Sequence, residues 1–243
     1  MKLLTVADMY SCAGGFSLGF DYLYEFFDVK YAVDNWENAC ASYKANMPNV
    51  DVDCRNVLDI KPSEIPLVDV LIGSPPCQEF TCARALGFEK RSFDTSLIDW
   101  FLSVVSYMKP RYWIMENVPI VRNYVKAPKL QIYRMTDYGI PQLRRRMFAG
   151  VYEEPKKDPI EIRFPTVLNE AGGSTFRPPK LGIRLGAVFR RRSLVYEMKL
   201  IQTFPLDYVL CGSLKDQVKQ LGEAVPPLMS YKIAKAIARV SMK

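Results

Sequence analysis

Four short apolar runs, set apart by stretches of helical spacing, restrict what this chain can become. The runs are Leu3–Ala7, Val29–Val33, Val68–Ile72 and Tyr112–Met115. Runs this short and apolar read as strands. Between them lie Trp36–Ala45 and Leu97–Met108, the latter with Leu97, Phe101, Leu102, Val105 and Met108 at helical spacing. Strands that alternate with helices predict an α/β fold with a mostly parallel sheet. In such sheets ligands bind beyond the carboxyl ends of the strands. Asp8, Asp34, Cys77 and Glu116 each follow a strand candidate. They are therefore expected to share one crevice.

The run at Val68–Ile72 leads into Gly73-Ser74-Pro75-Pro76-Cys77-Gln78. Pro and Gly stiffen and shape this loop, so Cys77 is presented rather than packed. The chain has six cysteines and no histidine. No C-x-x-C pair occurs, so no metal site is expected. Cys-His and Ser-His-Asp nucleophiles are excluded as well. A free thiol is only a few per cent thiolate at neutral pH, so Cys77 needs another activator. Backbone donors and positive charge, such as Arg144 or Arg146, could supply it. Cys40, Cys54, Cys82 and Cys211 read as packing residues.

Upstream, Ser11 to Gly19 is a glycine-rich turn that opens a helix. It lacks both the G-x-G-x-x-G spacing of dinucleotide sites and the Lys-Ser/Thr of a phosphate loop. Asp34, at the end of the second strand, could accept hydrogen bonds from a ribose diol. Trp36 could lie against an adenine. An adenosine ligand without phosphates suits these residues better than NAD or ATP. A plain strand-turn-helix with a surface acid accounts for them too.

Net charge is +7 and the pI is near 9.0, which suits a polyanionic partner. Arg177 to Lys199 carries seven basic residues, among them Arg177, Lys180, Arg184, Arg190, Arg191 and Arg192, against one acidic residue, Glu197. These residues read as a small basic lobe facing phosphates. Phe176 and Phe189 could stack where a base leaves, or simply pack. Met229–Val240 reads as a helix that returns to the first domain. Met1–Asp8 reads as too short for the apolar core of a signal sequence, and no apolar run is long enough for a membrane span. The chain is expected to be cytoplasmic, reduced and free of membrane.

Further motifs give the chain a family resemblance. Asp8–Gly19, Asp34, the Pro-Cys-Gln loop, Glu116-Asn117-Val118, and Gln142 with Arg144 and Arg146 follow one another in order. Glu197 with Gln202-Thr203-Phe204-Pro205, and then Gln220–Pro227, complete the set. This succession resembles the DNA (cytosine-5)-methyltransferase family. The chain departs from the pattern at Cys12, where the family has glycine. Asn35 follows the acid where a large apolar residue is common, so Trp36 stands one step late. Glu223 replaces an Asn. The stretch between Arg146 and Arg192 is short for a target-recognition domain.

The resemblance implies an S-adenosylmethionine-dependent methyltransferase fold. That fold is a mostly parallel seven-stranded sheet with helices on both faces, plus a small basic recognition lobe. It implies a catalytic domain over 1–150, a reduced recognition lobe with its following motif over 151–205, and a C-terminal segment, 206–243, packing back. S-adenosylmethionine, released as S-adenosylhomocysteine, would be bound by Asp8, Met9, Tyr10, Ala13, Gly14, Gly15, Phe16, Asp34, Asn35, Trp36, Pro75, Ala224 and Val225. Cys77, Glu116, Arg144 and Arg146 would be catalytic. Gln78, Gln142, Arg177, Lys180, Arg184, Arg190, Arg191 and Arg192 would touch nucleic acid.

By the same resemblance, Cys77 adds to cytosine C6, C5 takes the methyl group, and loss of the C5 proton releases the enzyme. Glu116 would serve N3. Asn117 would brace the Pro75-Pro76 turn. Arg144 and Arg146 would clamp the base or a phosphate and hold Glu116, oriented by Gln142. The base must be flipped out of the duplex. The implied substrate is double-stranded DNA, and the enzyme could act beside a restriction nuclease. So small a lobe points to a short target, loose specificity, or a second subunit that supplies recognition. The same chemistry on a tRNA-like RNA is one alternative. A catalytically silent nucleic-acid-binding protein, suggested by Cys12 and Glu223, is the other.

Overall fold

The computed structural model describes residues 2–76, 94–161, 164, 167 and 195–242. Seven strands form one sheet: β1 (Leu4–Met9), β2 (Phe27–Val33), β3 (Asp51–Asp53), β4 (Val70–Gly73), β5 (Tyr112–Asn117), β6 (Lys129–Arg134) and β7 (Arg145–Val151). Their order is β3-β2-β1-β4-β5-β7-β6. The first five run parallel, while β7 pairs antiparallel with both β5 and β6. The expected α/β class and the mostly parallel seven-stranded sheet are both present. β1 and β5 run further than their apolar cores suggest, so Asp8 and Glu116 stand inside strands.

The helices are α1 (Gly15–Asp21), α2 (Glu37–Asn46), α3 (Ser96–Met108), α4 (Val195–Gln202), α5 (Leu214–Glu223) and α6 (Pro227–Ser241). Successive strand residues point to opposite faces of a sheet. Val6, Val70, Ile72, Ile114 and Phe148 therefore share one face with Phe16 and Phe20 of α1 and with Met229, Ile233 and Ile237 of α6. Ala7, Met9, Leu71, Trp113, Met115 and Met147 share the other with Ile98, Phe101 and Val104 of α3. Covering both faces is what near-continuous apolar strands require.

Local chemistry sets the helix ends. Ser213 and Asp216 exchange hydrogen bonds as a capping box at the start of α5. Pro227 occupies the first turn of α6, where a missing N–H costs nothing. α6 packs on α1, and the Ser230 hydroxyl donates to the Phe16 carbonyl. Among the described residues, no helix is long and apolar enough to cross a membrane.

Candidate active site

β1, β2, β4 and β5 run parallel, so their carboxyl ends, and the residues that follow each of them, lie at one edge of the sheet. The β1 loop is the most contorted. Tyr10, Cys12 and Gly14 have φ of 59°, 49° and 86°. Only glycine adopts such values without steric cost, so Tyr10 and Cys12 hold strained backbone. The loop is held from outside. The Cys12 N–H donates to Asp34 Oδ2 at 2.8 Å, and the Trp36 N–H to Asp34 Oδ1 at 2.9 Å. The Tyr208 hydroxyl donates to the Ala13 carbonyl. Burial raises the Asp34 carboxyl above its ordinary value, against the pull of these N–H donors and Lys219. Burial, then Asp34 and Glu223, push the Cys12 thiol well up, which makes it a poor nucleophile.

Several residues that the resemblance places at the cofactor also shape the loop. Phe16 is 2% exposed and packs edge-on to Phe148 in the core. Tyr10 is buried; its hydroxyl donates to the Leu97 carbonyl at 2.6 Å, and its ring meets Trp100. Met9, Ala13, Gly14, Gly15, Pro75, Ala224 and Val225 are buried as well. Asn35 is exposed, and Asp34 and Trp36 are half-buried at the crevice. The Trp36 ring, expected against adenine, carries the Lys219 ammonium 4.2 Å from its centroid. Sequence reasoning missed Lys219, as well as Ser11 and Ser74. The hydroxyls of these two serines are buried without a hydrogen-bond partner among the described residues.

Asp8 is 1% exposed and faces α1, where it accepts the Ser17 hydroxyl at 2.6 Å. Burial lifts its carboxyl from 3.8 to about 7. Between those two values the folded protein binds more protons here than the unfolded chain does. Stability contributed by the neutral acid is therefore complete below 3.8 and is lost as pH rises to about 7. Asp8→Asn keeps the size and the acceptor for Ser17 but cannot ionise. Its melting temperature is expected to fall less across that window than that of the wild type. Parallel curves would show that Asp8 is ionised in the folded protein.

The second half of the site lies between β4, β5 and β7. Glu116 is 5% exposed and forms an ion pair with Arg146, Nε to Oε1, at 2.9 Å. Asn117 donates from Nδ2 to the Pro75 carbonyl at 3.0 Å, while its Oδ1 accepts the Val118 N–H at 2.8 Å. The end of β5 is thus tied to the turn that immediately precedes Cys77. Cys77 and Gln78 lie outside the described residues, as do Cys82, Phe176, Arg177, Lys180, Arg184, Phe189, Arg190, Arg191 and Arg192.

Gln142, Arg144 and Arg146, which the resemblance places together at the substrate, take different partners in the described structure. Residues at i, i+2 and i+4 share a face only within a strand, and β7 begins at Arg145. Arg144 is 2% exposed, with Nη1 donating to the carbonyls of Gly222 at 2.9 Å and Val167 at 3.3 Å. Gln142 is fully buried against Gln202 and the Ile201 carbonyl. Of the three, Arg146 alone meets Glu116. Among the described residues, no group of three or more His, Cys, Asp or Glu could hold a metal.

Comparison with known proteins adds a further set of observations. The sequence profile of C-5 cytosine-specific DNA methylases matches residues 4–132 and 189–239. The type II methyltransferase M1.HphI of Haemophilus parahaemolyticus is 27% identical over 335 aligned positions, covering 98% of this chain and 87% of the relative. That alignment is longer than the chain itself, so the relative carries residues that this chain lacks. The type II methyltransferase M.XorII of Xanthomonas oryzae is 31% identical over 58% of this chain and 38% of its own length. The crystal structure of a Spodoptera frugiperda DNMT2 mutant superposes with a TM-score of 0.71 at 18% identity, covering 96% of this chain and 99% of that one.

Proposed function

The chain belongs to the C-5 cytosine-specific DNA methylase family, and from that premise we propose that it methylates C5 of cytosine in double-stranded DNA through a covalent Cys77–C6 adduct. S-adenosylmethionine supplies the methyl group. The crevice fits such a cofactor. Asp34 is held in place by two backbone N–H groups, and the buried hydroxyls of Ser11 and Ser74 have no partner of their own among the described residues. Asp34 and Trp36 would hold the adenosine, and Ser11 and Ser74 would meet the polar amino-acid end.

The observation that carries the reading is the pairing of Glu116 with Arg146, next to the Asn117 tie on Pro75. Cytosine C5 is a weak nucleophile. The Cys77 thiolate adds to C6 while Glu116 donates a proton to N3, which makes C5 enamine-like. C5 then takes the methyl group. Loss of the C5 proton, return of the N3 proton to Glu116 and departure of the Cys77 thiolate restore the ring. Covalent catalysis of this kind splits one difficult step into two easier ones. The target base leaves the helix at a cost of a few kcal/mol. The reaction is that of a DNA (cytosine-5-)-methyltransferase, and the basic residues between Arg177 and Arg192 would hold the phosphates.

The test follows labelled methyl from S-adenosylmethionine into duplex DNA and folded RNA, and repeats the reaction on a 5-fluorocytosine duplex. Label in DNA and a denaturant-stable adduct, both absent with Cys77→Ala, are expected. Label confined to RNA would overturn the substrate. Label without an adduct would overturn the covalent step.

A further inference from the structure

The carboxyl end of α5 has an unusual set of partners. The last carbonyls of a helix have no donor within the helix. Here those of Leu221, Gly222 and Ala224 are all met by side chains from elsewhere in the chain. Gln202 Nε2, from α4, donates to the carbonyls of Leu221 and Ala224, the latter at 3.2 Å. Arg144 Nη1 donates to the Gly222 carbonyl at 2.9 Å. Gln202 is fully buried, and its Oε1 accepts from Gln142 Nε2 at 2.5 Å.

The same side chains reach the flanks of the basic lobe. Gln142 Oε1 accepts the Val167 N–H at 3.4 Å, and Arg144 Nη1 also donates to the Val167 carbonyl at 3.3 Å. Val167 immediately precedes the segment 168–194, and α4, which carries Gln202, immediately follows it. At the far end of the network lies the β1 loop. Gly15 sits directly on the Val225 carbonyl, so a Cβ there would overlap it. Wherever the carboxyl end of α5 goes, the Gly14–Gly15 turn must follow.

We propose that Gln202, seated on Gln142 and flanked by Arg144, is a positioning residue for the cofactor. It fixes the carboxyl end of α5, and through Val225 it holds the glycine turn in its binding geometry. Buried amides are satisfied in any folded protein. These are satisfied by the helix end on which the cofactor loop rests. The inference rests on the cofactor reading given above, which S-adenosylhomocysteine titration of the wild-type chain checks separately.

The experiment is Gln202→Leu, assayed by S-adenosylhomocysteine titration and by steady-state kinetics on duplex DNA. Losing these hydrogen bonds is expected to raise both the Kd and the KM for the cofactor about tenfold. Turnover at saturating cofactor should stay close to that of the wild type. If the single variant does not fold, Gln202→Met, which keeps the length of the side chain but not its donors, is measured in the same way. A lower melting temperature with unchanged cofactor affinity would overturn the proposal and leave Gln202 as packing alone. A fall in turnover at constant KM would overturn it too. Failure of the wild type to bind S-adenosylhomocysteine would overturn both the proposal and the cofactor reading.

Discussion

Arg146→Ala is expected to lower turnover by about 10²- to 10⁴-fold, the range that a positioned acid-base group contributes. Glu116 is nearly fully buried, and Arg146 Nε lies 2.9 Å from its Oε1. Without the guanidinium, the carboxylate faces a low-dielectric surround with no cation. It loses the partner that fixes its orientation and turns toward another donor. That turn spoils its alignment on cytosine N3, and C6 becomes a weaker electrophile for Cys77. The rate of adduct formation on 5-fluorocytosine DNA should therefore fall with turnover, while S-adenosylhomocysteine affinity holds. Breaking a buried pair also costs about 3–5 kcal/mol of stability. The assay accordingly belongs well below the melting temperature of the variant. An unchanged adduct rate would remove Arg146 and its hold on Glu116 from the mechanism.

Gly15→Ala should abolish tight cofactor binding without touching any group that reacts. The added methyl would overlap the Val225 carbonyl oxygen and come within 2.8 Å of Phe204 Cζ and 3.3 Å of Ala224 Cβ. The carbonyl belongs to backbone between α5 and α6 and cannot rotate away as a side chain would. Overpacking of this kind costs about 1–3 kcal/mol, which corresponds to a loss of about 10- to 100-fold in affinity if the turn bears the strain. Isothermal titration with S-adenosylhomocysteine reads the effect directly. Wild-type affinity in the alanine variant would mean that the turn and the α5–α6 junction move independently.

The parts of the fold that could be read from sequence were those with short, mainly apolar runs. β4 and β5 are buried along their whole length, β1 is buried from Val6 on, and β2 is exposed only at Lys30. β6 lies at the sheet edge as Lys-Leu-Gln-Ile-Tyr-Arg, where half-exposed positions break the run. β7 opens on two arginines, and β3 is only three residues long. The chemistry of the site was legible by residue type, but the direction of each side chain was not. Phe16 and Asp8 carry motif positions yet point beneath the sheet edge into the α1 layer. Arg144 and Arg146 look alike in sequence. The start of β7 falls between them, and it sends one to the end of α5 and the other to Glu116. Ser11 and Ser74 gave no signal, because an isolated serine in a loop looks the same whether its hydroxyl meets water or a ligand.

The hold of Tyr208 on Ala13 joins residues 195 positions apart, and that of Ser230 on Phe16 spans 214. During translation the glycine turn emerges early, but the groups that clamp it are made last. Such distant contacts close slowly, because the loop entropy is lost before any contact offsets it. A nascent chain halted before Tyr208 would carry the motif without a shaped pocket. Competence to take up cofactor thus waits until Tyr208 and Ser230 have been made, and a shorter nascent chain stays silent.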